Sequence, residues 1–137
     1  MKKYFLVCLL GFLFVGCSTE IAYFNLQDAL NDPKAKEILE DDVELSFGQK
    51  SQDTKGEVIT TSKRTTLAGK GSAEKAYRWA LYSAIKQFQY SARKQGSIRV
   101  VNIVGNWKHK VYDSSEKFQC ALGNMLAGVA LKGEIVK

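Results

Sequence analysis

Proline and histidine each occur once in the 137 residues, as Pro33 and His109, and cysteine occurs three times. A single proline rules out a polyproline or low-complexity chain. The lone histidine stands between Lys108 and Lys110, where it lacks the cysteine or carboxylate neighbours that a zinc site or a general-base pair would show at motif spacing. A Walker loop is missing too: it needs two glycines five positions apart, the second followed by lysine and a hydroxyl residue. Gly69-Lys70-Gly71-Ser72 has the composition but not that spacing, and it reads as a turn leading to Ser72 as a helix N-cap. Basic residues are scattered and form no stripe with interleaved aromatics, so nucleic acid is not an expected partner. No catalytic constellation, metal site or cofactor motif stands out, and a non-enzymatic protein is expected.

What is present begins at the N-terminus. Lys2 and Lys3 precede an apolar run from Tyr4 to Phe14. That length suits the core of an export signal, whereas a membrane-spanning helix needs about 20 apolar residues. The run closes in Leu13-Phe14-Val15-Gly16-Cys17 and is followed at once by polar Ser18, Thr19 and Glu20. This pattern resembles the bacterial lipobox, in which a small residue precedes a cysteine that receives diacylglycerol. Residues 1–16 are therefore predicted as a lipoprotein signal peptide, Cys17 as the lipidation site, residues 17–25 as a lipid-anchored tether, and 26–137 as a single domain. Phe14 departs from the leucine usual three residues before the cysteine, while keeping its apolar bulk. Ser18, rather than aspartate, after the cysteine resembles the outer-membrane sorting pattern, so the expected location is the cell envelope, on the outer membrane and facing the periplasm. Of the 20 basic residues, Lys2 and Lys3 fall in the signal, which leaves an excess over the 14 acidic residues of about +4.

With Cys8 in the signal and Cys17 lipidated, Cys120 is left alone. Phe118, Cys120 and Leu122 alternate with Lys117 and Gln119, which places the thiol on the apolar face of a strand as a small buried hydrophobe, the alternatives being a redox or intermolecular thiol and a metal ligand.

The rest of the chain reads as a mixed domain. Leu26 to Leu39 predicts short helices, with Asp32 as N-cap and Pro33 in the first helical position. Val43, Leu45 and Phe47 alternate with polar residues as a half-buried strand closed by Gly48. Residues 49–72 are the least determined, with Glu57 to Thr61 a candidate edge strand. Ala73 to Gln95 is the clearest element: Tyr77, Leu81, Ala84, Ile85, Phe88 and Ala92 recur at helical spacing, and Gly96 stands where a left-handed cap is wanted. Ile98 to Val104, apolar on both faces, predicts an interior strand. Asn106 to Ser115 is a polar excursion, Glu116 to Leu122 a strand, Met125 to Leu131 a long apolar stretch, and Ile135-Val136 the end of a last strand. The expected fold is α+β, one long helix packed across a small, mainly antiparallel sheet, with short N-terminal helices.

Several segments together resemble a family of small exported bacterial proteins often labelled "excinuclease ATPase subunit". They are Asp28-Ala29-Leu30, Val43 to Gln49, Tyr77-Arg78-Trp79-Ala80, Gly96 with Ile98 to Ile103, Gln119-Cys120, and Met125 to Gly133 with its GVALKG run. The resemblance spans most of the chain after the signal, except about residues 50–72. The activity in that label requires phosphate loops and zinc-binding cysteines, which this chain lacks. Where the family pattern has a histidine after the cysteine, the residue here is Ala121. A weaker, topological similarity is to the Rcs envelope-stress sensor lipoprotein, without that sensor's paired disulfides.

The resulting expectation is a lipid-anchored envelope protein that binds a protein partner, senses, or contributes to envelope integrity. The alternative is a module for a small ligand or metal, with Cys120, His109, Trp107 and Trp79 as candidate ligand or interaction residues.

Overall fold

In a computed structural model, residues 19–49, 56–69 and 71–136 are described; the signal segment and Cys17 lie outside them. The elements in order are strand β1 (Glu20–Asn25), helices α1 (Leu26–Asn31) and α2 (Pro33–Ile38), strands β2 (Glu44–Phe47) and β3 (Glu57–Thr66), helix α3 (Ala73–Lys94), strand β4 (Arg99–Gly105), a 3-10 turn (Trp107–His109), and strands β5 (Lys117–Leu122) and β6 (Leu126–Val136).

The long helix forms for the reasons its sequence suggests. Ser72 accepts a hydrogen bond from the Lys75 amide at 3.2 Å, Arg93 and Lys94 occupy the last turn, and Gly96 takes φ +72° just beyond it. Its apolar side, including Ala76, Leu81, Ile85 and Phe88, is buried against β3 and β6. Close approach requires a glycine below it: a Cβ on Gly133 would lie 3.2 Å from Val100 Cγ1 and 3.3 Å from Phe88 Cε2.

β6 is the axis of the sheet. Along one edge it pairs antiparallel with β3, from Leu126↔Thr66 to Ile135↔Glu57. Its other edge is shared: β4 takes the C-terminal half, while β5 takes Gly128 and Ala127. β1 then adds antiparallel to β5, and β2 adds parallel to β4. The sheet thus forks beyond β6. In β4 a bulge at Asn102, φ +52°, lets Val100 and Ile103 enter the helix-side core while Val101 and Val104 are buried on the opposite face. This is how a strand apolar on both sides fits a sheet with a single covering helix.

Buried polar contacts tie the short helices to α3. The Tyr82 hydroxyl donates to the Ala29 carbonyl at 2.6 Å. The fully buried amide of Gln89 both donates to the Glu40 carbonyl, at 2.9 Å, and accepts from the Glu40 amide, at 3.1 Å. A buried side-chain amide needs partners for both of its ends, and this pair supplies them.

Three segments depart from the sequence expectations. Residues 20–25 are not tether but strand β1, in register from Glu20↔Leu122 to Asn25↔Lys117, with Phe24 packed against the core. Ile21 to Phe24 is a short apolar run with no alternation of residue type, and its partner strand lies far along the chain. β3 runs through Thr66 rather than stopping at Thr61, because an edge strand can carry polar residues such as Ser62, Lys63 and Arg64 throughout. The apolar stretch from Leu126 onward and the terminal Ile135-Val136 belong to the single strand β6, with Met125 in the turn before it.

Candidate binding surface around Trp107

Alternation divides the sheet into two unlike faces. Residues 127, 129, 131, 133 and 135 of β6 face the helix, while 128, 130, 132 and 134 face away. On the away side the polar link after β4 folds back over the strands. The Asn106 amide donates to the Ala130 carbonyl at 2.9 Å, and Gly105 and Tyr112 exchange backbone hydrogen bonds at 2.8 and 2.9 Å. Lys108 and His109 take positive φ values of 53° and 61°, which turns the chain sharply and lays the indole of Trp107 on the sheet.

The indole has a place because position 128 is glycine. A Cβ there would lie 3.1 Å from Trp107 Cζ3 and 3.4 Å from Cη2, tighter than ordinary contact. Opposite Gly128 in the ladder stands Arg64, whose guanidinium lies 6.0 Å from the indole centroid, within range of a cation–π interaction. Arg64 forms no ion pair among the described residues. Its cation is therefore free to meet an anion.

Two shallow depressions flank the indole. One, about 330 Å³, is lined by hydroxyls, an amide, two cations and an imidazole: Thr60, Ser62, Asn106, Arg64, Lys108 and His109. The other, about 350 Å³, is more apolar and includes Ala121, Met125 and Leu126, with Thr19 at its margin. Both are at the small end for ligand pockets. Recognition here would be by an open surface, with a rigid aromatic between a polar and an apolar flank.

The four candidate residues separate. Trp107 and His109 come together on this face. Cys120 does not join them: it is fully buried on the helix side, paired across from Ala22, and burial pushes its thiol up to about 12. A ligand set combining Cys120 with His109 is therefore excluded by the pleat, which sends strand positions 120 and 121 to opposite faces. Among the described residues no three His, Cys, Asp or Glu side chains gather as a metal site. Trp79 lies on the far side of the molecule, partly exposed, in a third depression with Asp32, Lys34 and Arg78. There Arg78 is engaged by Asp32 at 2.8 Å and Glu74 at 2.7 Å, an arrangement that ties α2 to α3. Arg64, Thr60 and Ser62 were not legible as site residues; their only local signal is that alternate positions of one strand share a face.

No helix among the described residues is long and apolar enough to cross a membrane. No family model, curated protein or solved structure matches the chain.

Proposed function

We propose that this chain is a lipid-anchored envelope protein whose domain is a non-enzymatic interaction module, with the open sheet face around Trp107 as its binding surface. The observation that carries the reading is the Trp107–Arg64 pair on Gly128, an aromatic and a cation without an ion-pair partner among the described residues, held on the sheet face opposite α3. Aromatic and arginine side chains are the groups most often dominant in protein recognition. With Lys108 beside them, the complementary partner is an acidic segment carrying an apolar side chain. The anchor is supported by the run ending in Leu13-Phe14-Val15-Gly16-Cys17, and Ser18 favours the outer membrane facing the periplasm. One acyl chain alone binds membranes marginally, whereas several hold permanently.

Labelled palmitate with globomycin tests the anchor: incorporation should be lost in Cys17→Ala, and globomycin should leave the unprocessed form. The surface is tested with a photocrosslinking residue at Ser62 in growing cells. A discrete adduct that disappears in Trp107→Ala is expected; adducts unchanged by that substitution would reject the surface.

A second reading, a small anionic ligand in the polar depression, is favoured by the Thr60 and Ser62 hydroxyls beside Arg64. It predicts saturable changes in Trp107 fluorescence with small carboxylates or phosphates in a Trp79→Phe variant, in which Trp107 is the remaining tryptophan.

A further inference from the structure

We infer that the β5–β6 turn, led by Met125 and Leu126, is a membrane-contact site that seats the domain on the bilayer carrying its anchor. This rests on the reading of Cys17 as the lipidated residue.

The geometry begins with β1. Because Glu20 is already paired with Leu122, only Ser18 and Thr19 separate the sheet from Cys17. The three residue steps from Cys17 to Glu20 span at most about 11 Å, so the end of the sheet where β1 starts is held close to the headgroup surface. The nine-residue tether expected from sequence would have left the domain free to tumble; a paired strand does not.

Met125 lies at that same end, 77 % exposed, and Leu126 beside it is 41 % exposed. The turn that presents them is not loose. The Gly123 amide donates to the Leu126 carbonyl and the Leu67 amide to the Met125 carbonyl, both at 2.9 Å. Thr19 and Met125 line one depression, so the anchor's exit and the apolar tip are neighbours. Ile21, 39 % exposed on β1, extends the patch. A protein in water gains nothing by fixing a largely exposed methionine beside a leucine, but next to a bilayer both side chains can leave water.

The occupant is therefore a leaflet of the anchoring membrane. The test uses the full-length acylated protein in phosphatidylethanolamine–phosphatidylglycerol vesicles, with a nitrobenzoxadiazole label on Met125→Cys. A second label on Lys117→Cys reports the far end of the sheet, since Lys117 pairs with Asn25 at the other end of β1. Cys120 is buried and leaves the labelling selective. The label at 125 should emit further to the blue and be quenched several-fold more by brominated lipid than the label at 117. Adding Leu126→Asp should reduce that difference while acylation is unchanged.

Equal aqueous quenching of the two labels in an acylated protein would overturn the membrane contact and leave the anchor intact. That result would hand the apolar tip to a protein partner. A chain that takes up no palmitate at Cys17 would remove the anchor and this inference together.

Discussion

The ring of Phe24 lies on that of Tyr77, centroids 3.7 Å apart and planes within 12° of parallel. One ring belongs to the first strand and the other to the long helix, so the stack fastens the N-terminal edge strand to the core of the domain. Phe118 completes the cluster at 5.8 Å from Phe24 and 6.0 Å from Tyr77. Phe24→Ala removes the half-buried member and should cost about 2 kcal/mol. Urea denaturation of the unlipidated domain would show it as a lower midpoint, and hydrogen exchange should rise most along β1.

Cys120 should behave as an inert thiol. With burial holding its pKa near about 12, roughly one molecule in 10⁴ carries the thiolate at pH 8. Ellman's reagent should therefore react with the folded domain at the rate of unfolding, and readily in denaturant. Fast reaction in buffer would contradict the burial of this strand face.

Gly133 measures how tightly the helix is seated. Its missing side chain leaves room for Phe88, Val100 and Ile103 at 3.2–3.3 Å from where a Cβ would stand. Gly133→Ala should destabilise the domain by about 1–3 kcal/mol through overpacking, read as a shift of the thermal midpoint. Gly69→Ala tests a different origin of cost, because nothing lies within 4 Å of that Cβ but the backbone has φ +78°.

Asp32 gives the fold a dependence on acid. Its carboxylate caps α2 by accepting from the Lys34 amide at 2.8 Å and binds Arg78 at 2.8 Å; the amide contact first, then Arg78, hold its pKa below the ordinary value. A depressed native pKa means stability that is fully present above the unfolded value of about 4 and lost as pH falls through the native value. Asp32→Asn keeps a capping side chain without the charge, and should flatten this acid limb while lowering the midpoint at pH 7 less than Asp32→Ala does. Melting curves from pH 2 to 7 would separate the two.

Local chemistry made the long helix readable to within a residue: its stripe, its serine cap and Gly96 all act within a few positions of one another. Cys120 was likewise legible, from alternation alone. The remainder depends on partners far apart in sequence. Strand β1 is a short apolar run, and nothing near it in the chain announces β5. The parallel pairing of β2 with β4 is invisible without the fold, and so is the meeting of Trp107 with Gly128 and Arg64. Trp107 and His109 were picked out as isolated residue types; the surface they form needed the chain to return over its own sheet. The tether was misjudged for the same reason, since a strand whose mate is distant looks like a linker.

The pairing of Glu20 with Leu122 also orders events in time. The first strand to emerge must wait for the fifth, roughly a hundred residues later, and contacts of such separation form slowly. Until β5 is in place, β1 has no ladder partner, so this edge of the sheet closes late in folding.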